Sequence, residues 1–354
     1  MSQTLYLKYR PQKISELDLV SAREMLEKVL KGKSLPHAWL FSGPRGTGKT
    51  SAARILAKEV NGNDKDLNLE IEVGTCTDVI EIDAASNRGI DEIRELRDKI
   101  KLAPMRAKYK VYIVDEVHML TTEAANALLK TLEEPPAHAI FILATTELDK
   151  VPETIISRCQ NFSFRKISEE VLRKALKNIA KKEGFEIDDG TAGLIALCAE
   201  GSFRDAQGIL DQIISLGEKR ITEESARRFL SAPPRELTEK FITAVLEKKA
   251  ESGLEAIQTG MEKNIDIKIL YKMILRDLRS AILLKLAPLM KRQIQDSYSE
   301  NEFKFLEKLK DAAKPGEMER ALKIMLEYYE TRSRSYLPQT PLELALLAII
   351  GQNK

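Results

Sequence analysis

The sequence predicts a parallel α/β domain followed by two helical regions. Three observations in its 354 residues indicate this fold class. A glycine-rich loop lies between a strand-like segment and a helical one, a second apolar run ends in two carboxylates, and strand-like and helical segments alternate over the first 166 residues. Helical periodicity dominates the remainder. Because single cores seldom exceed about 250 residues, we predict three domains, at residues 1–166, 167–232 and 233–354.

The glycine-rich loop is the segment Leu40–Ser51, LFSGPRGTGKTS. It satisfies the pattern G-x-x-x-x-G-K-[ST], whose backbone amides cradle phosphates. The apolar run Ala38–Phe41 is typical of a buried strand, and helical spacing of apolar residues follows the loop, so a helix N-terminus adds unpaired amides and partial positive charge. The alternative is a glycine-rich turn before an ordinary helix. We predict that nucleotide phosphates bind at Gly43, Pro44, Arg45, Gly46, Thr47, Gly48, Lys49, Thr50 and Ser51.

The second apolar run is Val111–Glu116, VYIVDE. A continuous run of this kind is typical of a parallel strand that is buried on both faces. Its two carboxylates lie at the C-terminal end, where open α/β sheets bind ligands. We therefore predict that Asp115 and the Thr50 hydroxyl hold magnesium, and that Glu116 orients or deprotonates an attacking water. The alternative is a strand that merely ends in solvated charge.

The remaining segments of the first domain are predicted as follows. Tyr9, Arg10 and Pro11 either close over an adenine base or form a strap over the core. The polar stretch Asn61–Glu70 is predicted to be a surface connection. Further strands are predicted at 78–82, 139–144 and around Phe162 and Phe164. Helices are predicted at 50–60, 90–100 and 121–134, with a short helical segment after Pro11 that reaches Gly32 and another within 151–159.

Two polar positions follow the later strands. One of the hydroxyls of Thr145 and Thr146, which follow a predicted central strand, is expected to sense the terminal phosphate, unless both are ordinary turn residues. From spacing alone, Arg158 is a surface charge.

Beyond Ser168 the apolar residues recur at helical spacing. Helices are predicted at 171–183, 189–200, 204–216 and 223–230, with Gly201 and Gly217 as breaks and Pro233-Pro234 as a boundary. The rest is predicted to be all helix. Its last apolar stretch, Leu342–Ile350, requires burial against other helices or a partner chain.

Composition excludes several classes of protein. The net charge is only +2, so any nucleic-acid binding must come from local clusters of Lys and Arg. No apolar run has membrane-spanning length and no signal-like N-terminus is present, which predicts a cytoplasmic protein. Three scattered cysteines cannot build a disulfide framework or a C-x-x-C zinc site. The expected cofactors are ATP and Mg²⁺, without zinc.

Specific motifs resemble those of the gamma/tau subunit family of bacterial DNA polymerase III, the AAA+ ATPase of the clamp loader. YRPQKISEL resembles the family's opening segment, and the phosphate loop resembles its phosphate-loop region. DVIEIDAASNRGIDEIREL resembles the strand and helix that follow that loop in the family, and VYIVDEVHMLTTEAANALLKTLEEPP resembles its Walker B region. LATTE, ISRC and GSFRDAQGILDQ resemble its sensor 1, arginine-finger and sensor 2 motifs. The resemblance implies that Lys49 serves the phosphates, that Thr146 is sensor 1 and Arg204 sensor 2, and that Arg158 acts on ATP in the neighbouring subunit.

The resemblance also implies an assembly. Several copies of this chain would form a ring with delta and delta-prime subunits, as part of a DNA-directed DNA polymerase holoenzyme. ATP binding would let the ring open the beta sliding clamp, and primer-template DNA, bound without sequence specificity, would trigger hydrolysis. The helix opened by Ser86–Gly89, with Arg94 and Arg97, either contacts DNA phosphates or is a solvated charged face. His118, just past the carboxylates, either couples DNA binding to the site or simply packs locally.

The sequence departs from the family pattern in three ways. The family usually carries a four-cysteine zinc module before DVIEIDAASN, whereas this interval contains only Cys76. The C-terminal 120 residues match only in being helical, so an oligomerising collar there is implied by the family alone. The sequence ends at Lys354, before the long extension of tau forms, and so resembles a gamma-type or truncated member.

Two alternative functions share the main motifs. A branch-migration helicase would have the same phosphate loop and Walker B strand, and would be distinguished by DNA unwinding without a clamp. A non-hydrolysing structural subunit of the same ring is opposed by the intact Lys49, Thr50, Asp115 and Glu116.

Overall fold

The structure is a computed structural model that describes residues 4–32, 34–62, 64–86, 99–314, 316–331 and 336–351. Its Cα positions group into two compact units. The first consists of residues 1–172 with 199–208, and the second of residues 173–198 with 209–354.

The first unit contains a parallel sheet of five strands within the described residues. Its strands are β1 (Ala38–Ser42), β2 (Val79–Asp83), β3 (Lys110–Asp115), β4 (Ala139–Thr145) and β5 (Gln160–Ser163). They lie in the order β2-β3-β4-β1-β5, and every pairing is parallel. Because β1 and β3 both flank β4, the loop after β1 and the carboxylates after β3 emerge at the same edge of the sheet. The predicted fold class is confirmed.

Helices cover both faces of this sheet. Among the residues that the structure describes, the α-helices of this region are α1 (Leu5–Lys8), α2 (Val20–Leu30), α3 (Lys49–Val60), α4 (Lys65–Val73), α5 (Thr122–Glu133) and α6 (Glu153–Ile156). Alternate residues of β1 enter different cores: Trp39 and Phe41 pack with α2, α3 and α4, whereas Leu40 packs with α5. Since both faces are buried, the central strands read as continuous apolar runs rather than alternating ones.

The prediction of a surface connection at Asn61–Glu70 is wrong in part, because α4 begins within this segment. The Asp64 carboxylate caps this helix by accepting a hydrogen bond from Leu67 N at 2.9 Å. Leu67 and Ile71, four residues apart, are buried against α3. Only this narrow apolar stripe indicates a helix, and the polar residues that suggested a turn occupy its exposed side.

Helices dominate the rest of the chain. They are α7 (Glu169–Lys182), α8 (Asp189–Ala199), α9 (Phe203–Ile214), α10 (Glu223–Phe229), α11 (Arg235–Glu247), α12 (Ala250–Glu262), α13 (Ile267–Leu286), α14 (Lys291–Gln295), α15 (Glu300–Ala312), α16 (Glu317–Thr331) and α17 (Thr340–Gly351). Two parallel two-residue strands, Glu186–Ile187 and Arg220–Ile221, were not predicted, since two residues carry no readable periodicity. No helix in the described part of the chain combines the length and apolar character needed to cross a bilayer.

The last helix is buried along one side, as its composition requires. Leu342, Ala345, Leu346 and Ile349 belong to the core of the second unit, where α17 packs against α12 and α16. Leu344 and Leu347 face outward and are 45% and 46% exposed. The predicted burial against other helices is therefore confirmed for this side of the helix.

Candidate functional site

The glycine-rich loop and the two carboxylates share one cavity of about 470 Å³ in the first unit. Residues 45–51 line it from the loop, and Asp115 and Glu116 line it from the end of β3. Residues of the N-terminal segment and of the start of α9 also line it, together with Glu81 and Phe164. Gly43, Pro44, Thr146 and Arg158 do not line the cavity.

The loop backbone requires glycine at two positions where other chain segments approach closely. Gly43 has a φ of 142°, and an added Cβ would lie 1.9 Å from Phe164 O. Gly46 has a φ of 73°, and its Cβ would lie 1.9 Å from Ser202 Oγ. The loop is further held by Thr47 Oγ1, which donates to Pro44 O at 2.8 Å. The amides are thus fixed around a cradle that side chains would fill.

Two glycine substitutions distinguish the cost of backbone strain from the cost of a steric clash with a neighbouring segment. Gly48 also has a positive φ, 95°, but nothing lies within 4 Å of its added Cβ. We expect Gly48→Ala to lower the free energy of unfolding by about 1–2 kcal/mol through backbone strain alone. Gly46→Ala should lower it by about 1–3 kcal/mol more, because Ser202 must also move. Urea unfolding without nucleotide tests this, and equal losses for the two variants would contradict the geometry.

Lys49 is the first residue of α3 and is buried, with 6% exposure. Its Nζ donates to Gly43 O at 2.7 Å and to Pro44 O at 3.0 Å. Burial lowers the pKa of this ammonium group, while the Glu116 and Asp115 carboxylates act in the opposite direction. Both acceptors are carbonyls of the phosphate loop, so the charge is held inside the cradle.

The side chains of Thr50 and Asp115 are in direct contact in the cavity. Thr50 Oγ1 donates to Asp115 Oδ2 at 2.7 Å, and Glu116 N donates to Asp115 Oδ1 at 2.9 Å. A hydroxyl and a carboxylate are hard oxygen ligands, which Mg²⁺ prefers. The donor set therefore fits a magnesium ion that is completed by water and phosphate oxygens.

Glu116 has a left-handed backbone, with φ 50° and ψ 45°. This conformation is uncommon for a residue with a side chain and is found where surrounding contacts fix it. Its Oε2 accepts hydrogen bonds from Thr146 N at 3.0 Å and Thr146 Oγ1 at 2.8 Å. The structure thus brings the predicted base and the predicted sensor into direct contact.

His118 lies beside these two groups and is buried, with its side chain 5% exposed. Its Nδ1 lies 3.0 Å from Thr145 Oγ1 and 3.4 Å from Glu116 Oε2. Its Nε2 lies 3.4 Å from Glu147 Oε1. His118 therefore packs between two carboxylates and a buried hydroxyl, and a role in coupling to DNA stays a prediction.

The N-terminal segment reaches the cavity, as one of the two alternatives for it requires. Tyr9, Arg10 and Pro11 all line the wall. Arg10 Nε donates to Ser51 Oγ at 2.9 Å, which ties the segment to the first turn of α3. Burial lowers the pKa of the Arg10 guanidinium and raises that of the Asp18 carboxyl, which also lines the cavity.

Arg204 lines the same cavity from the start of α9. Its guanidinium carbon lies 5.2 Å from the centroid of the Tyr6 ring, a cation–π contact. The neighbouring Phe203 N donates to Gly46 O at 2.9 Å. Sequence reasoning missed Tyr6 and Asp18, which belong to no quoted motif. It also assigned no role to Ser202 and Gln207, although both lie in the GSFRDAQGILDQ segment with Arg204.

Arg158 lies apart from this cavity, after α6. Its Nη2 donates to Glu133 Oε1 at 2.6 Å and its Nη1 to Thr154 O at 2.8 Å. Its side chain is 34% exposed. Nothing in its own chain's cavity contacts this guanidinium within the described residues.

Two other sequence predictions concern metals and DNA. No group of three or more His, Cys, Asp and Glu side chains that could hold a metal ion occurs among the described residues. Arg94 and Arg97, the candidate DNA contacts, lie outside the residues that the structure describes.

Two known families match adjacent parts of the chain. Residues 20–168 match the family described as DNA polymerase III, delta subunit. Residues 171–219 match the family described as DNA polymerase III clamp loader subunit, ATPase lid domain.

Individual relatives extend the similarity further along the chain. The DNA polymerase III subunit tau of Bacillus subtilis is 44% identical over 299 residues, which cover 81% of this chain and 53% of that protein. The subunit gamma of Buchnera aphidicola subsp. Schizaphis graminum is 40% identical over 319 residues, covering 85% of this chain and 86% of the relative. The subunit tau of Escherichia coli is 38% identical over 298 residues, covering 81% of this chain and 46% of that protein. The chain thus spans about half the length of the tau relatives.

A solved structure of a Thermotoga maritima RuvB variant shares the fold. The TM-score is 0.50 at 20% sequence identity, and the match covers 68% of this chain and 80% of RuvB. At this identity the similarity shows the fold alone. The much higher identity to gamma and tau subunits separates this chain from the branch-migration alternative.

Proposed function

Because the chain belongs to the gamma/tau family of DNA polymerase III clamp-loader subunits, we propose that it binds and hydrolyses ATP to open a sliding clamp and load it on primer-template DNA. The observation that carries this proposal is the contact between Thr50 Oγ1 and Asp115 Oδ2, at 2.7 Å. It joins the phosphate loop to the acidic end of β3 in one cavity, as phosphoryl transfer from a nucleotide requires.

ATP is bound by the loop and the start of α3. The amides of residues 46–50 and the Lys49 ammonium group surround the β- and γ-phosphates, with the partial positive charge of the helix N-terminus behind them. Thr50 and Asp115 would hold Mg²⁺, which would supply positive charge to the phosphates. Tyr9, Arg10 and Pro11 form the wall of the cavity for the base.

Hydrolysis is carried out by groups at the end of β3 and β4. Glu116 orients a water molecule or accepts its proton, and Thr146 positions Glu116 through the two hydrogen bonds to its Oε2. Arg204 contacts the nucleotide as sensor 2, and its stacking on Tyr6 keeps the guanidinium at the cavity wall. Arg158 completes the site of the neighbouring subunit, where it stabilises charge on the transferred phosphoryl group.

The partners follow from this proposal. Further copies of the chain, delta and delta-prime subunits form the ring, and the beta sliding clamp and primed DNA are its substrates. The sequence boundaries 1–166, 167–232 and 233–354 are proposed as the ATPase, lid and collar domains. We place the protein in the cytoplasm and propose no zinc site.

Lys49→Ala tests the nucleotide site directly. Charge-assisted hydrogen bonds contribute about 1.5–3 kcal/mol, so we expect ATP affinity to fall about 10- to 100-fold. Equilibrium titration with a fluorescent ATP analogue measures this. Lys65→Ala, which removes an exposed lysine at the start of α4, is the matched control and should bind like the unmodified protein. Equal affinity for both variants would place the nucleotide elsewhere.

A further inference from the structure

We propose that Glu133 positions the guanidinium of Arg158 for its action on the neighbouring subunit, an inference that rests on the function proposed above. Glu133 is the last residue of α5, and Arg158 follows the four-residue helix α6. The Glu133 carboxylate accepts a hydrogen bond from Arg158 Nη2 at 2.6 Å. Glu133 lies near the end of the segment that resembles the Walker B region, but no role is predicted for it from the sequence.

The guanidinium is held from two separate elements. Its Nη1 donates to Thr154 O at 2.8 Å and to Ser157 Oγ at 3.3 Å, and both acceptors lie in α6 or directly after it. Glu133 supplies the third acceptor from α5. A guanidinium has five N–H donors, so at least two remain, and Nε–H has no acceptor among the described residues. These donors are available for the phosphoryl oxygens of a neighbouring nucleotide.

The contact contributes little to the stability of the fold, since both side chains are substantially exposed. Glu133 is 49% exposed and Arg158 is 34% exposed. Ion pairs at such sites contribute little to the free energy of unfolding. A carboxylate in the last turn of a helix also faces the negative end of the helix dipole, which disfavours it. The positive charge of Arg158 offsets this repulsion, and the Glu133 carboxylate fixes the orientation of the guanidinium.

Direction matters for a residue that acts across a subunit boundary. Arginine has large rotamer freedom, and a displacement of about 1 Å can lower a rate about 100-fold. Without Glu133, Nη2 is released and the guanidinium can leave the orientation set by Thr154 and Ser157. We therefore expect Glu133→Ala to lower stimulated ATP turnover by about 10- to 100-fold. ATP affinity should not change, because Glu133 does not line the cavity.

The test measures ATP turnover by the assembled clamp loader with sliding clamp and primed DNA. Glu133→Ala is compared with Glu133→Gln, whose amide oxygen still accepts a hydrogen bond and should restore part of the rate. Glu134→Ala is the matched control, because this adjacent glutamate is exposed and has no ion pair among the described residues. It should turn over ATP like the unmodified protein. A Glu133→Ala/Arg158→Ala double variant should be no slower than Arg158→Ala alone.

The outcomes distinguish the inference from the function on which it rests. Positioning by Glu133 is supported if Glu133→Ala lowers turnover and Glu133→Gln partly recovers it. The same conclusion requires that Glu134→Ala loses no turnover and that the double variant loses no more than Arg158→Ala. Unchanged or faster turnover in Glu133→Ala, with turnover lost in Arg158→Ala, overturns the inference and leaves the proposed function intact. Full stimulated turnover in Arg158→Ala overturns both.

Discussion

An Arg158→Ala variant is expected to bind ATP with unchanged affinity and to lose about a thousandfold or more of the turnover stimulated by clamp and primed DNA. Arg158 does not line its own chain's cavity, so its removal leaves the binding groups in place. It would withdraw positive charge from the phosphoryl group in the adjacent site. Parallel measurements of ATP affinity and stimulated turnover in the assembled complex separate these two effects.

The control for this variant is another exposed arginine of the same unit. Arg165→Ala removes the same charge just beyond β5, outside the ISRC motif. It should retain both affinity and stimulation. If Arg158→Ala also retained stimulation, the assignment of a trans-acting arginine would be wrong.

Glu116→Gln is expected to bind ATP normally and to turn it over about 100- to 10,000-fold more slowly, the usual contribution of a positioned general base. The amide can still accept hydrogen bonds from Thr146, so the local structure should persist, but it cannot take a proton from water. Single-turnover hydrolysis of bound ATP measures the chemical step without product release.

Glu123→Gln provides the comparison for that experiment. Glu123 is exposed in the first turn of α5 and lies away from the cavity. Its substitution should leave the chemical step unchanged. A Glu116→Gln rate equal to that of Glu123→Gln would show that another group activates the water.

Contiguous patterns allowed most of the nucleotide site to be predicted. The segment that contains the phosphate loop and the run that ends in Asp115 and Glu116 each combine a strand pattern with the functional residues that follow it. The parallel arrangement of the strands then brings the two together at one edge. The strand order could not be deduced from such local patterns, because it depends on which strands pair across long separations.

The parts that could not be predicted are contacts between distant residues and weak local patterns. Ser202 meets Gly46, and Tyr6 stacks on Arg204, across separations that no spacing rule reaches. Glu133 and Arg158 are likewise brought together only by packing. Helix α4 was missed because two buried residues, Leu67 and Ile71, are too few to outweigh the surrounding turn-forming residues.

The most direct measurement is steady-state ATP turnover by the unmodified chain, alone and in the ring with sliding clamp and primed DNA, beside Lys49→Ala. If a triphosphate is held between the loop and the acids of β3 and contacts an arginine of the next subunit, the chain alone should hydrolyse ATP slowly and the ring should be strongly stimulated. Lys49→Ala should remove both activities. Turnover that Lys49→Ala leaves intact, or that clamp and DNA do not stimulate, would contradict this arrangement.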